Sequence, residues 1–236
     1  MKVLVACEYS GVVRDAFLAA GHDAMSCDLL PTDVPGPHYE GPVEDLLVHG
    51  AFDLMIAHPP CTYLCSSGLH WNKRGATVGG RPRAELTEEA LDFVRLLMSA
   101  PIPRIALENP QGCIGTRIDA LREYGFDSRK ATQTVQPHEH GHDASKATCL
   151  WLKNLPPLLP TRYVEGRVVG TNKRGQPIMR WANQTDSGQN RLGPSEDRWK
   201  LRSTTYAGIA AAMAHQWGGL DDVSVGLEVT TEEKKA

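Results

Sequence analysis

A cysteine directly after two prolines, and a glutamate heading a Glu-Asn-Pro run, are the groups in this 236-residue chain with the most to offer chemically. His58-Pro59-Pro60-Cys61 follows an apolar run over 52–57 that reads as a buried strand, stopped by the prolines. Two fixed φ angles would present Cys61 rigidly at the strand's end. A thiolate there suits attack on an electron-poor ring carbon. Cys65 competes for that role but lies past the rigid segment. Glu108-Asn109-Pro110 closes a second apolar run over 102–107. If the two strands adjoin, Glu108 stands close to Cys61, where a carboxyl could protonate or hydrogen-bond a ring nitrogen while the cysteine adds to the adjacent carbon. Taken singly, each group has a plainer explanation: a small thiol packed in a proline turn, or an acid capping a turn. Their pairing favours chemistry.

A second set lies near the N-terminus. Ala6-Cys7-Glu8-Tyr9-Ser10-Gly11 follows the apolar run 3–6, and Gly11 lets backbone approach a ligand closely. Asp28 stands at the expected end of the next strand, where an acid accepts hydrogen bonds from ribose hydroxyls. An ordinary βα turn followed by a surface aspartate would give the same pattern.

These residues need elements to position them. Strands are expected over 3–6, 23–30, 39–43, 52–57, 102–107 and 148–152. Helices are expected through residue 20, over 86–98 with Thr87 as its cap, and over 206–217. Alternating strands and helices make an α/β fold, a mostly parallel sheet with helices on both faces. Such sheets gather ligands at their strands' carboxyl ends, where the polar groups of this chain fall. Residues 1–154 read as the catalytic domain and 155–200 as a short basic, loop-rich insertion. Residues 201–220 read as a C-terminal helix completing that domain, and 221–236 as a mobile tail.

Hydrophobic residues at 41% and charged residues at 22% are ordinary for a globular protein. No apolar run is long enough to span a membrane and no signal segment opens the chain, so a cytoplasmic protein is expected. Six scattered cysteines suggest free thiols. The net charge of -3 hides a split: residues 146–202 hold eleven Lys and Arg against four Asp and Glu. That field would attract a phosphate backbone, although a solvated basic surface has the same composition. His138, His140 and His142 alternate like ligands on a strand, yet Pro137 and Gly141 point to a loop. Phosphate or base contacts are preferred there, and no metal is expected.

Pro59-Pro60-Cys61 and Leu107-Glu108-Asn109-Pro110 resemble the proline-cysteine and Glu-Asn-Val motifs of the DNA (cytosine-5)-methyltransferases. The segment from Cys7 to Arg14, with Asp28 beyond it, is similar to their cofactor loop and ribose-binding acid. The chain resembles the short members found in phages and prophages. The resemblance implies a Rossmann-like fold, S-adenosyl-L-methionine as cofactor and DNA as partner, and leaves the oligomeric state open. It implies that Cys61 attacks carbon 6 of a flipped cytosine, that Glu108 engages nitrogen 3, and that Lys146 supplies positive charge beside the base. It assigns cofactor contacts to Glu8, Tyr9, Ser10, Gly11, Asp28, Leu29, Val43, His58, Pro59, Thr205 and Tyr206. The glycine-rich residues 62–80 would form a mobile loop closing over the base. The chain departs from the family in lacking Phe-x-Gly-x-Gly, in carrying Gly41-Pro42-Val43 where Gly-Asp-Ile is usual, and in the shortness of 155–200. An amino-group methyltransferase is the alternative, disfavoured by His58 and Cys61 as the flanks of the prolines. A degenerate fold that only binds nucleic acid, or an enzyme for free nucleotides, would also share these motifs.

Overall fold

The computed structural model describes residues 1–49, 51–118, 121–126 and 130–220. In chain order the elements are β1 (Lys2–Ala6), α1 (Val12–Ala19), β2 (Asp23–Asp28), β3 (His38–Glu40), α2 (Val43–His49), β4 (Leu54–Ala57), α3 (Ser66–Lys73), β5 (Thr77–Val78) and β6 (Arg81–Pro82). Next come α4 (Arg83–Met98), β7 (Arg104–Pro110), α5 (Ile114–Arg117), β8 (Gln133–Val135), β9 (Thr148–Lys153), β10 (Arg167–Thr171), β11 (Pro177–Arg180), α6 (Arg198–Ser203) and α7 (Ala207–Gly218).

Seven strands form one sheet in the order β3-β2-β1-β4-β7-β9-β8. β1 pairs in parallel with β2 and β4, and β4 in parallel with β7, while β9 runs antiparallel between β7 and β8. This is a Rossmann-like α/β fold, a mostly parallel sheet with helices on both faces. Strands β1 and β4 are wholly buried along Val3–Ala6 and Leu54–Ala57, as near-continuous apolar runs covered on both faces must be. One face carries Val3, Val5, Leu54 and Ile56 against Val13 and Phe17 of α1 and Ile209, Met213 and Trp217 of α7. The other carries Leu4, Met55 and Ile105 against Leu91, Val94 and Met98 of α4 and Ile114 of α5. The chain reverses direction across the sheet between β1 and β4, so their carboxyl ends open the crevice in which such folds hold ligands.

Four expectations need correction. Val43 is no strand residue: it opens α2, where Glu44 and Asp45 in the first turn suit the positive end of a helix. Thr87 caps nothing. It lies buried inside α4, which starts earlier, at Arg83, and its hydroxyl bonds the Tyr63 carbonyl. Residues 62–80 are no open loop but contain α3 and the first strand of the β5–β6 hairpin, with Gly75, Gly79 and Gly80 supplying left-handed turns. Arg83 fastens this segment by donating to the Thr62 carbonyl at 2.7 Å and lying over the Tyr63 ring. Finally, the basic insertion holds a β10–β11 hairpin that its Gly- and Pro-rich sequence concealed. The tail expected over 221–236 lies outside the described residues. No described helix is long and apolar enough to cross a membrane.

Candidate active site at the sheet's carboxyl edge

The register of β4 and β7 decides what meets what. Ala57 pairs with Leu107, so the next residues, His58 and Glu108, stand side by side. His58 Nδ1 lies 3.1 Å from Glu108 Oε2, with the two side chains only 9% and 14% exposed. One step further, Asn109 Nδ2 donates to the Pro59 carbonyl at 2.8 Å. Asn109 is buried, and the contact holds the proline pair against β7. Pro59 and Pro60 then hand the chain to an exposed Cys61. The sequence thus brings its two principal groups to one place.

A turn comes at once. The amides of Leu64 and Cys65 both donate to the Cys61 carbonyl, which lays Cys65 back beside Cys61, at the start of α3. The two thiols hydrogen-bond each other. Cys65 Sγ also lies 3.2 Å from Ser67 Oγ. The bond from Cys61, reinforced by Ser67 and the Gly68 amide, lowers the Cys65 thiol to about 5 against the cost of burial. Cys61 moves the other way, because of its bond to Cys65, burial, and the charges of Cys65 and Glu108. The two thiols thus shift in opposite directions, Cys65 down and Cys61 up.

Chemical labelling reads this directly. An ordinary thiol with a pKa of about 8.5 is less than about 1% ionised at pH 6. Cys65, depressed to about 5, is mostly thiolate at that pH. Iodoacetamide at pH 6 is expected to modify Cys65 ahead of the other five cysteines, with its rate rising through one titration near pH 5. Peptide mass mapping across pH 4–8 makes the check.

Glu108 is pulled in both directions. Burial pushes its carboxyl up, but the His58 hydrogen bond and charge, the Lys146 ammonium and Thr148 together hold it below the ordinary carboxylate range. Lys146 Nζ donates to the carbonyls of Arg202 and Thr204 at 2.7 and 3.3 Å, so it ties down the α6–α7 junction while its field reaches Glu108. Thr205 and Tyr206 line a small pocket with Glu108, Lys146 and Thr148. Both were expected at the cofactor. The structure sets both beside the glutamate.

At the end of β1 the chain turns through Cys7, at φ 59, and Gly11, at φ 73. A Cβ on Gly11 would come within 2.6 Å of Val34 Cγ2, so a side chain here is excluded on two counts. Glu8 points inward: its carboxylate accepts the amides of Val13 at 2.7 Å and Arg14 at 3.2 Å and the Ser10 hydroxyl at 3.1 Å, which caps α1. Tyr9 is packed under α6, its hydroxyl 2.9 Å from Ser203 Oγ and its ring beside Trp199. Asp28 is half-buried at the end of β2, with its carboxyl raised by burial, and holds the Leu30 amide at 3.0 Å. Leu29 next to it is 73% exposed, an apolar face without a cover beside an acid. Val43 is buried in the core at the start of α2. The donor set of this edge suits an adenosyl group: Asp28 is an acceptor of the kind ribose hydroxyls need, and exposed Leu29 is an apolar surface of the kind a purine needs.

Each of the three alternating histidines has a partner within the chain. His138 stacks on Trp181 at 3.9 Å, buried His140 reaches Thr161 Oγ1 at 3.3 Å, and His142 Nε2 accepts the Gly208 amide at the start of α7. They form the seat of the basic insertion, which Asn183 fastens by bonding both the amide and the carbonyl of Ser145. Among the described residues no His, Cys, Asp and Glu cluster could hold a metal ion. What sequence reasoning missed was the His58–Glu108 contact and the activation of Cys65. The first depends on a register between distant strands, and the second on the turn after Cys61.

No protein-family model and no curated protein matches the sequence. Among solved structures, a protein described as a DNA modification methyltransferase encoded within a prophage (E. coli) superimposes with a TM-score of 0.45 at 14% identity. That match covers 70% of this chain and 52% of the other. A mutant of Spodoptera frugiperda DNMT2 superimposes with a TM-score of 0.42 at 15% identity, covering 71% of this chain and 58% of the other. The chain therefore spans little more than half the length of either protein.

Proposed function

We propose that this chain methylates carbon 5 of cytosine in DNA, with Cys61 as covalent nucleophile and S-adenosyl-L-methionine as methyl donor. The observation that supports it most is the strand-end pairing: a thiol held beyond Pro59 by Asn109, and a buried carboxyl on the adjoining strand. A ring that takes sulfur at carbon 6 gathers charge at nitrogen 3, and Glu108 is the group placed to meet it. The donor, when bound, supplies an electrophilic methyl group. Asp28, Leu29 and the Gly11 turn would hold it, with Ser10 and the backbone about Glu8 and Tyr9 as the loop's remaining contacts. Val43, His58, Pro59, Thr205 and Tyr206 complete the contacts the resemblance assigns. Of these, Thr205 and Tyr206 stand beside Glu108 and would serve the base equally well.

Cys61 acts by adding its sulfur to carbon 6 while its proton passes to the Cys65 thiolate. Glu108 covers nitrogen 3, and Lys146 adds positive potential behind it. Carbon 5 then takes the methyl group, loses its proton to a base, and Cys61 leaves. The target must swing out of a duplex for the sulfur to reach it. Residues 155–200 would bind the DNA backbone: Arg167, Lys173, Arg174 and Arg191 are exposed on or beside the β10–β11 hairpin.

The test is intact-mass analysis of protein mixed with S-adenosyl-L-methionine and DNA containing 5-fluorocytosine, which blocks loss of the carbon 5 substituent. A DNA-sized adduct, mapped by digestion to Cys61 and not Cys65, is the expected result. No adduct, with cofactor binding intact by calorimetry, would reject the cytosine-5 mechanism and favour amino-group methylation or a free nucleotide.

A further inference from the structure

We propose that His58 is a positioning residue that holds the proton Glu108 delivers to the base; this rests on the function proposed above. The need arises from the site's own electrostatics. A carboxyl can protonate a ring nitrogen only if it has a proton to give, yet His58, Lys146 and Thr148 favour the carboxylate of Glu108. The proton therefore has to be kept nearby. His58 is the one titratable side chain hydrogen-bonded to Glu108 among the described residues, at 3.1 Å. Imidazole is also the side chain whose charge changes near neutral pH.

The other nitrogen of His58 supports the same assignment. Nε2 is buried and makes no hydrogen bond, in a side chain only 9% exposed. Buried polar atoms are nearly always paired, so an orphan ring nitrogen at the mouth of a ligand crevice expects a polar atom of a ligand. The groups facing Glu108 are His58 from the end of β4, Cys61 beyond it, Lys146, Thr148 and Cys149 from β9 and the segment before it, and Thr205 and Tyr206 from the segment before α7.

The step balances simply. The His58–Glu108 pair holds one proton and is neutral as a whole. As Cys61 sulfur bonds to carbon 6, the electron pair displaced toward nitrogen 3 takes that proton through Glu108. Neutral His58 and an anionic Glu108 remain. When the carbon–sulfur bond breaks, the proton returns to the pair. Such shared protons titrate as a property of the pair.

The test compares wild type with His58→Gln, whose amide can still donate to Glu108 but cannot release a proton. Single-turnover methylation of duplex DNA is measured from pH 5.5 to 9. The expected result is a fall in rate of about 10- to 100-fold with DNA KM within about threefold, and an alkaline limb displaced to lower pH. A variant whose pH profile keeps the wild-type shape overturns the proposal, whatever its rate. So does a loss confined to KM. Failure of the cytosine-5 reading itself appears separately, as absence of the 5-fluorocytosine adduct on wild type. In that event proton NMR still decides the pair: a downfield ring N–H signal that vanishes both in His58→Gln and in Glu108→Ala upholds it, and its absence from wild type overturns it. Because Glu108→Ala leaves a buried void, circular dichroism accompanies each variant, and His58→Gln alone suffices if the alanine variant fails to fold.

Discussion

Cys61→Ser is expected to abolish the 5-fluorocytosine adduct and to lower methyl transfer by on the order of 10⁴-fold or more, the scale seen when a covalent nucleophile is removed. The reason is chemical rather than steric. Serine keeps the position after the prolines, but its hydroxyl is a far weaker acid and a harder nucleophile than a thiol. Cys61 is exposed, and Pro59 remains held by Asn109, so the fold should survive with a stability change of about 0.5 kcal/mol or less. Cofactor affinity measured by calorimetry should be unchanged. Cys61→Ala has a second consequence. The Cys61 hydrogen bond is the leading cause of the depressed Cys65 titration, so labelling of Cys65 should shift toward higher pH. If the alanine variant still forms an adduct, Cys65 is the nucleophile and the assignment is wrong.

Glu108→Gln should cost about 10²- to 10⁴-fold in the rate of methylation, the usual worth of a placed acid or base. Glutamine can hydrogen-bond nitrogen 3 but has no proton to yield. Folding should respond to pH as well. The Glu108 carboxyl is held below its ordinary range, so it contributes stability above its unfolded-state value, and that contribution disappears as pH falls through the lower folded value. The variant lacks this dependence. Its urea midpoint should therefore lose less than that of wild type between pH 7 and pH 4. Equal acid sensitivity in the two proteins would show that Glu108 is not held in its charged form.

Much of this could be read from the chain because strand ends are punctuated. The apolar runs ending at Ala57 and Leu107 are buried on both faces, and the residues after each run must emerge at the sheet's edge. Cys61, Glu108, Gly11 and Asp28 were legible for that reason. Val43 was not, because a buried valine fits a helix start as well as a strand. The role of Glu8 was hidden too: nothing local distinguishes a carboxylate that caps α1 from one that meets a ligand. His138, His140 and His142 looked like a set, yet they contact three different parts of the chain, Trp181, Thr161 and Gly208. The partner of each is set by long-range packing, which spacing in the sequence does not encode.

The pairing of α1 with α7 bears on how the protein is made. α1 is complete by residue 19, whereas the helix that covers the same face ends at Gly218. During synthesis the chain therefore has its first four parallel strands and α4 available long before that face can close. Until Ile209, Met213 and the fully buried Trp217 emerge, Val3, Val5, Leu54, Ile56 and Phe17 lack part of their apolar cover. Contacts between such distant segments form slowly, and their exposed partners are prone to associate with other chains in the interval. The emergence of α7 therefore sets when this apolar face can close.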